Sequence, residues 1–185
     1  MKQFVAFLRG VNVGGRKPIK MKKLAAVLTA AGFRNVRTFI ASGNVIFESS
    51  GKDPKRIGKT IESHLRQAFG HEITVFVRGV DDLRAIIKRN PFGKPKPAPD
   101  EMLFVTFLAS PPPARPKLPL RSETEKMEVI ALMDGAAFIV AHRKQTGWFG
   151  FPHAFAEKEF KVPTTTRNWT TVVRIVAAAE QLGQN

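Results

Sequence analysis

Residues 8–15 read Leu8-Arg9-Gly10-Val11-Asn12-Val13-Gly14-Gly15 and mark the point where a strand gives way to a loop. Residues 4–8 are apolar and aromatic, which predicts a buried strand. Apolar residues then recur at helical spacing from Met21 to Ala31, and Gly32 is placed to end that helix. The stretch therefore predicts a strand, a glycine-rich loop and an amphipathic helix in succession.

The residues that follow complete a ferredoxin-like order of elements. Two β-rich runs flank the turn at residues 41–44, which predicts a hairpin. Asp53 is placed to cap a helix that begins at Pro54, and residues 73–77 predict a fourth strand. The order β-α-β-β-α-β over residues 4–78 is that of the ferredoxin-like split βαβ arrangement.

This topology predicts that two polar segments meet. A right-handed crossover makes the first two strands parallel, and in this fold the first strand also neighbours the third. The end of the first strand and the hairpin turn therefore lie at one edge of the sheet. We expect Asn12 to meet Ser42, Gly43 and Asn44, although about 30 residues separate them along the chain.

Residues 80–185 predict a second α+β unit after a first unit over residues 1–79. The second unit contains two proline-rich loops, an Asp-Gly hairpin turn and an amphipathic C-terminal helix, with Thr165 or Thr166 as its N-cap. The predicted fold class is α+β. A related ferredoxin-like arrangement is one alternative for the second unit, although no residue-level repeat proves a duplication.

The composition indicates a globular chain with a strong positive charge. Hydrophobic residues make up 43% and charged residues 24%, which does not fit a disordered chain. The 30 Lys and Arg against 15 Asp and Glu give a net charge of +15, whose field attracts nucleic acid, anionic lipid or phosphorylated metabolites. The alternative is that these residues only keep the helices solvated, since they are spread along the whole chain.

Several functional classes find no support in the residues. The absence of cysteine excludes disulfides and thiolate chemistry, and the four histidines show no ligand spacing, so neither a metal nor a cofactor is expected. The apolar opening ends at Arg9, which is too early for a signal-peptide core or a membrane span, and predicts a cytoplasmic protein without a membrane partner. No pattern of a catalytic nucleophile is present, so the residues neither require nor exclude an enzyme. The protein is assumed to be a monomer.

The glycine loop and the hairpin turn form the first candidate site for an anion. Backbone N–H groups in the loop and the positive end of the following helix suit a phosphate or carboxylate, although the P-loop and dinucleotide patterns are absent. An arginine beside amide and hydroxyl groups adds a bidentate donor. The alternative is a structural network that satisfies the loop backbone. The candidate ligand-binding residues here are Arg9, Asn12, Gly14, Gly15, Ser42, Gly43 and Asn44.

A second candidate site lies where the last helix is expected to begin. Capping hydroxyls and open N–H groups beside Arg167 and Asn168 suit an anion. The alternative is that threonine only caps the helix, Trp169 packs in the core and Arg167 lies near the surface.

One further segment is rich in aromatic residues. Trp148, Phe149 and Phe151 fit stacking on the bases of single-stranded nucleic acid. The alternative, more common for aromatic residues near prolines, is that they are core or staple residues.

Three motifs of the chain resemble one family when they are taken together. They are Leu8-Arg9-Gly10-Val11-Asn12-Val13-Gly14-Gly15, Ser42-Gly43-Asn44-Val45-Ile46-Phe47 and Thr166-Arg167-Asn168-Trp169-Thr170-Thr171-Val172. The chain resembles the domain-of-unknown-function 1697 family (DUF1697) of bacterial proteins over nearly its whole length. This resemblance implies a compact α+β fold with ferredoxin-like units, and it carries no established activity, cofactor or catalytic residue.

The residues leave three hypotheses of function open. The first is a binding protein for nucleic acid or another phosphate-rich anion, motivated by the charge and the fold class, although the third strand lacks the aromatic residues of an RNA-recognition domain. The second is a small-molecule enzyme or sensor that binds a phosphorylated or carboxylated ligand at the glycine-loop and hairpin edge. The third is an interaction protein that recruits a partner through an edge strand or the proline-rich loops.

Overall fold

A computed structural model describes residues 1–12, 18–93 and 97–182. These residues divide into two units, each built on one antiparallel sheet. The first unit comprises Met1–Leu83 and the end of the chain from Ile175, and the second comprises Arg84–Arg174.

The first unit has the predicted ferredoxin-like order of elements. Its elements are β1 (Lys2–Leu8), α1 (Met21–Ala30), β2 (Arg34–Phe39), β3 (Asn44–Ser49), α2 (Pro54–Phe69) and β4 (Val75–Gly79), followed by α3 (Val80–Arg89), which continues into the second unit. The sheet order is β2-β3-β1-β4, and all three neighbouring pairs are antiparallel. Strands β1 and β2 are therefore parallel to each other, as predicted for the first two strands.

Successive side chains of β1 point to opposite faces of the first sheet, and a different part of the chain packs on each face. Leu8 belongs to the same core cluster as Leu24 of α1 and Ile61 of α2, and all three side chains are fully buried. Gln3 points to the opposite face, where its Nε2 donates to Ala179 O at 3.2 Å. The end of the chain therefore lies against the face that α1 and α2 leave open.

Helix α2 begins and ends as its sequence predicts. The carboxylate of Asp53 accepts a hydrogen bond from Lys55 N at 2.9 Å, and Pro54 stands in the first turn, where no N–H is required. Gly70 ends the helix in the left-handed region with a φ of 73°.

The second unit is also an antiparallel α+β arrangement. Its elements are β5 (Glu101–Leu108), β6 (Leu120–Ser122), β7 (Met127–Met133), β8 (Ala136–His142), α4 (Pro152–Phe160), β9 (Thr164–Asn168) and the first part of α5 (Trp169–Leu182). The sheet order is β6-β7-β8-β5-β9.

The predicted N-cap of the last helix is wrong. Thr165 and Thr166 lie in strand β9, which pairs with β5, and helix α5 begins only at Trp169. Threonine is β-branched and favours a strand once a partner strand is present. The side chain of Asn168 takes the capping role instead, because its Oδ1 accepts a hydrogen bond from Thr170 N at 2.9 Å.

The second sheet repeats the strand order of the first. The order β7-β8-β5-β9 corresponds to β2-β3-β1-β4, with every neighbouring pair antiparallel, and α4 and α5 follow β8 and β9 as α2 and α3 follow β3 and β4. The proline-rich segment and β6 occupy the place of α1 in the chain order. The second unit is thus a related ferredoxin-like arrangement without the first helix.

Equivalent backbone bonds align the two units residue by residue. Leu8 N donates to Gly43 O at 2.8 Å at the end of β1, and Leu108 N donates to Gly135 O at 2.9 Å at the end of β5. The strands read Phe-Val-Ala-Phe-Leu at residues 4–8 and Phe-Val-Thr-Phe-Leu at residues 104–108. This five-residue match is in register with the bonds and corrects the expectation that no residue-level repeat relates the two units.

Candidate anion-binding site

The structure brings the end of β1 and the β2–β3 turn together. Leu8 N donates to Gly43 O at 2.8 Å, and Asn12 Nδ2 donates to Ala41 O at 2.7 Å. The segments that lie about 30 residues apart in sequence therefore form one rim of the first sheet. Gly14 and Gly15 lie outside the described residues.

Asn12 fastens three segments of this rim to one another. Besides the bond to Ala41, its Nδ2 donates to Ile19 O at 3.1 Å and its Oδ1 accepts from Ile19 N at 2.8 Å. Its φ of 59° places it in the left-handed region, which asparagine tolerates better than most residues. These bonds form a structural network, which is the alternative to anion binding for this residue. They also fix the point at which the chain enters α1.

Ser42, Gly43 and Asn44 build the turn itself. Asn44 is fully buried, and its Nδ2 donates to Phe39 O at 3.2 Å and to Ser42 Oγ at 3.0 Å. Gly43 has a φ of 74°, and a Cβ there would lie 3.0 Å from Leu8 Cβ. A side chain at Gly43 would therefore both strain the backbone and crowd the end of β1.

Helix α1 begins two residues after Ile19, which Asn12 holds at the rim, and exposed cations lie around its start. Lys20 stands at the N-cap position without a side-chain capping bond, and the first turn contains no acidic residue. Arg9, Lys20 and Lys22 are exposed, and Lys23 Nζ donates to Ala68 O at 3.1 Å at the end of α2. A helix N-terminus presents N–H groups and a partial positive charge, so this end of α1 favours an anion.

The distribution of charged residues along the sequence is a second signal for this site, and the motifs alone do not reveal it. Residues 1–47 contain nine Lys and Arg and no Asp or Glu. The positive charge is spread along the chain, but the negative charge that would offset it is absent from this segment. The rim of the first sheet is therefore built from a segment that contains no carboxylate to pair with its own lysines and arginines.

The turn also contains a strained residue that sequence reasoning did not single out. Ile40 has a φ of 51° and is 48% exposed. A β-branched residue in the left-handed region is a genuine outlier, and strained backbone is often found at functional sites.

Arg167 and Asn168 belong to the second unit, and both have local partners there. Arg167 lies opposite Val105 in the sheet, and its Nη1 donates to Thr165 Oγ1 at 3.0 Å and to Thr166 O at 2.8 Å. Burial lowers the pKa of Arg167 to about 10.

The first unit carries an arginine at the matching position. Arg78 lies opposite Val5 as Arg167 lies opposite Val105, and its Nη1 donates to Val77 O at 2.9 Å. Burial lowers its pKa, and the carboxylate of Asp82 opposes that effect. The paired positions indicate that an arginine here belongs to the repeated fold as well as to the predicted motif.

Trp169 packs in the core, as one alternative predicted. Its ring lies 5.3 Å from that of Phe92 and 6.3 Å from that of Phe138, both in edge-on geometry, and the residue is 7% exposed. The more common alternative for the other aromatic segment is wrong for two of its three residues. Trp148 is 77% exposed and Phe151 is 69% exposed, whereas Phe149 packs against the core of the second unit.

Within residues 1–12, 18–93 and 97–182, no group of three or more His, Cys, Asp or Glu side chains is placed to hold a metal ion. No helix in the part of the chain that the structure describes is long and apolar enough to cross a membrane.

Comparisons with known proteins agree with the fold and leave the chemistry open. The chain is similar in structure to the conserved bacterial protein SP0830 from Streptococcus pneumoniae, with a TM-score of 0.65 and 18% sequence identity over 95% of this chain and 97% of that one. At this identity the likeness concerns the fold alone. A comparison with curated proteins finds no match. The model of the family described as protein of unknown function (DUF1697) matches residues 1–138, and the chain therefore belongs to that family.

Proposed function

We propose that this protein binds a phosphate-rich anion, with nucleic acid as the first ligand class, at the rim of the first sheet. We define the rim site as Arg9, Asn12, Lys20, Lys22 and the turn at residues 42–44. Gly14 and Gly15 remain predicted members of it. The observation that carries the proposal is the N-terminus of α1, which has no acidic residue and no side-chain cap and stands among exposed cations.

The polar residues of the rim site divide into two roles under this proposal. Asn12 and Asn44 use their amides to hold the loop and the turn in place. Arg9, Lys20 and Lys22 are exposed and supply the charge that faces the ligand. Contacts to phosphate by lysine and arginine position a nucleic acid without reading its sequence. We therefore expect strong affinity dependence on salt and weak sequence preference.

The test compares charge removal at the rim site with equal charge removal at the other end of the sheet. Lys52 and Lys55 are exposed and flank the start of α2, which follows the end of β3 that pairs with Lys2. The variant Lys20→Ala/Lys22→Ala and the control Lys52→Ala/Lys55→Ala each lose two charges. Binding of a labelled oligonucleotide is measured by fluorescence anisotropy at about 50 and about 200 mM KCl.

We expect the rim variant to lose about tenfold or more in affinity and to reduce the salt slope by about 0.9 for each phosphate contact removed. The control variant keeps most of its affinity. Equal losses in both variants would mean that only the general field acts, and absent or salt-insensitive binding would refute the proposal.

A phosphorylated or carboxylated small molecule is the alternative ligand at the same site. A thermal-shift series with nucleotides and sugar phosphates separates the two, because a ligand that binds the folded state raises the Tm by mass action. A rise with monomeric phosphates that Arg9→Ala abolishes, without oligonucleotide binding, would favour the small-molecule alternative.

A further inference from the structure

The segment after β8 presents two aromatic side chains to solvent. Trp148 and Phe151 are 77% and 69% exposed, the two largest such fractions among the described aromatic residues. Tryptophan is enriched among the few residues that carry most of the binding energy at interfaces. The sequence placed them as candidates for stacking, and the exposure now supports that alternative over core packing.

The residues between the two exposed rings hold the segment against the second unit. Phe149 packs against the core, and a side chain at Gly150 would collide with Met127 and Glu125. Phe149 and Gly150 are therefore anchored against the second unit. The rings of Trp148 and Phe151, on either side of this pair, point to solvent.

Hydrogen bonds order the segment on the side of Trp148. Lys144 N donates to Trp148 O at 2.9 Å, Gly147 N donates to Lys144 O at 2.9 Å, and Arg143 Nη1 donates to Gly147 O at 3.2 Å. An ordered loop loses less conformational entropy on binding than a flexible one, which favours a preformed surface.

The chain segment that carries the two rings is basic. Residues 136–156 contain Arg143, Lys144 and two histidines and no Asp or Glu. The guanidinium of Arg143 lies 5.2 Å from the centroid of the Phe149 ring. Two carboxylates lie nearby: Glu125 accepts a bond from Lys144 Nζ at 2.8 Å, and Asp100 Oδ2 lies 3.9 Å from His142 Nδ1. Arg143 is exposed, so the segment combines two exposed rings with one guanidinium, which suits an aromatic, anionic partner better than an apolar one.

We propose that Trp148 and Phe151 form a stacking platform for the unpaired bases of single-stranded nucleic acid. Base-stacking on aromatic side chains within a positively charged surface is the usual way in which proteins bind single strands without sequence preference. The inference goes beyond the proposed function, since it concerns a different surface, in the second unit, and the bases rather than the phosphates.

The two tryptophans of the chain make the platform measurable. Trp148 is exposed and Trp169 is 7% exposed, so a ligand that stacks on Trp148 quenches the accessible part of the fluorescence. The experiment titrates the full chain with an oligothymidylate of roughly 12 nucleotides, alongside Trp148→Ala, Phe151→Ala and the matched control Leu118→Ala. Leu118 is an exposed apolar residue in the proline-rich loop of the same unit.

The expected result is quenching in the wild type and an affinity loss of roughly 5- to 150-fold in Trp148→Ala, as for one lost stacked base. Phe151→Ala weakens binding in the same direction, and Leu118→Ala does not. Binding of a duplex is unchanged by Trp148→Ala, since paired bases offer no free face. Circular dichroism establishes that each variant is folded.

Three results would overturn the platform. They are an absence of quenching, unchanged oligothymidylate affinity in Trp148→Ala, and quenching caused only by self-association or by a protein partner. Failure of the platform is distinguishable from failure of the rim site. If Lys20→Ala/Lys22→Ala weakens binding and Trp148→Ala does not, only the platform is refuted.

Discussion

Two carboxylates at matching positions illustrate how single residues hold the repeated fold. Glu62 Oε1 accepts from Val75 N at 3.0 Å, and Glu157 Oε1 accepts from Thr164 N at 2.7 Å. Val75 and Thr164 are the first residues of β4 and β9, and both are buried. Each carboxylate therefore satisfies a backbone donor that would otherwise be costly to bury.

We expect Glu157→Ala to lower the free energy of unfolding by about 1–3 kcal/mol, because it leaves the Thr164 N–H without this acceptor. Glu157→Gln loses less, since its amide oxygen still accepts the bond. Urea denaturation measures both. Glu159→Ala, an exposed change on the same helix, serves as the control. Equal stability of Glu157→Ala and Glu159→Ala would show that the bond contributes nothing.

Local interactions were predictable at this scale, and distant ones were not. The Asp53 cap was predicted because its partner, Lys55, is two residues away. The role of Glu62 was not predicted, because its partner is Val75, in another element. The positive φ of Ile40 had no signal either, since isoleucine is rarely placed in the left-handed region.

At the scale of elements, the β2–β3 hairpin stores strain next to the rim site. The left-handed conformation costs roughly 1–2 kcal/mol for an ordinary L-residue, and asparagine tolerates it better. We expect Ile40→Asn to change the free energy of unfolding by less than about 1 kcal/mol, because relief of the strain offsets the lost burial of a side chain that is 48% exposed. Chemical denaturation provides the measurement.

Ile40→Val is the matched control, because it keeps the β-branch and the strain. Its stability should remain close to that of the wild type. The loss of stability in Ile40→Asn could instead equal that of removing a fully buried isoleucine. That result would show that the packing of the side chain contributes more free energy than the backbone strain costs.

The predicted elements differ most from the observed ones where a strand pairs with a segment that is distant in the sequence. Strand β9 was assigned to a helix cap, because three threonines before an amphipathic helix resemble capping residues when their partner strand is not known. Strand β6 has only three residues and follows a proline-rich segment, so no periodicity could indicate it. The βαββαβ half was predicted well, since its helices and strands show clear periodicity and end signals.

At the scale of the whole molecule, the net charge of +15 opposes folding by self-repulsion. We expect the Tm to rise between about 20 and about 150 mM KCl, because added salt shortens the screening length to about 8 Å. Each 1 kcal/mol gained corresponds to a rise of roughly 2–4 °C. Differential scanning calorimetry measures the effect.

Potassium phosphate at equal ionic strength is the matched condition for that experiment. Phosphate also stabilises folded proteins because it is excluded from their surface, so the rise that is due to binding at the rim site is the part that Lys20→Ala/Lys22→Ala loses. A Tm that falls with KCl would contradict the repulsion argument.

The repeat explains which parts of the molecule the fold requires. Gly43 and Gly135 accept the same bond from Leu8 and Leu108, so these positions serve the architecture. Arg9 has no polar counterpart, since its partner position in the second unit is Ala109, whose N donates to Pro163 O as Arg9 N donates to Thr74 O. An alanine suffices there for the fold, which supports a role for Arg9 beyond folding.

The most direct test of the rim site is a heteronuclear NMR titration of the full chain with a short single-stranded oligonucleotide. We predict the largest amide shifts at residues 21–23 in the first turn of α1 and at Arg9, with saturation that weakens as salt increases. Shifts that avoid these amides, while the oligonucleotide binds elsewhere, would contradict the rim site.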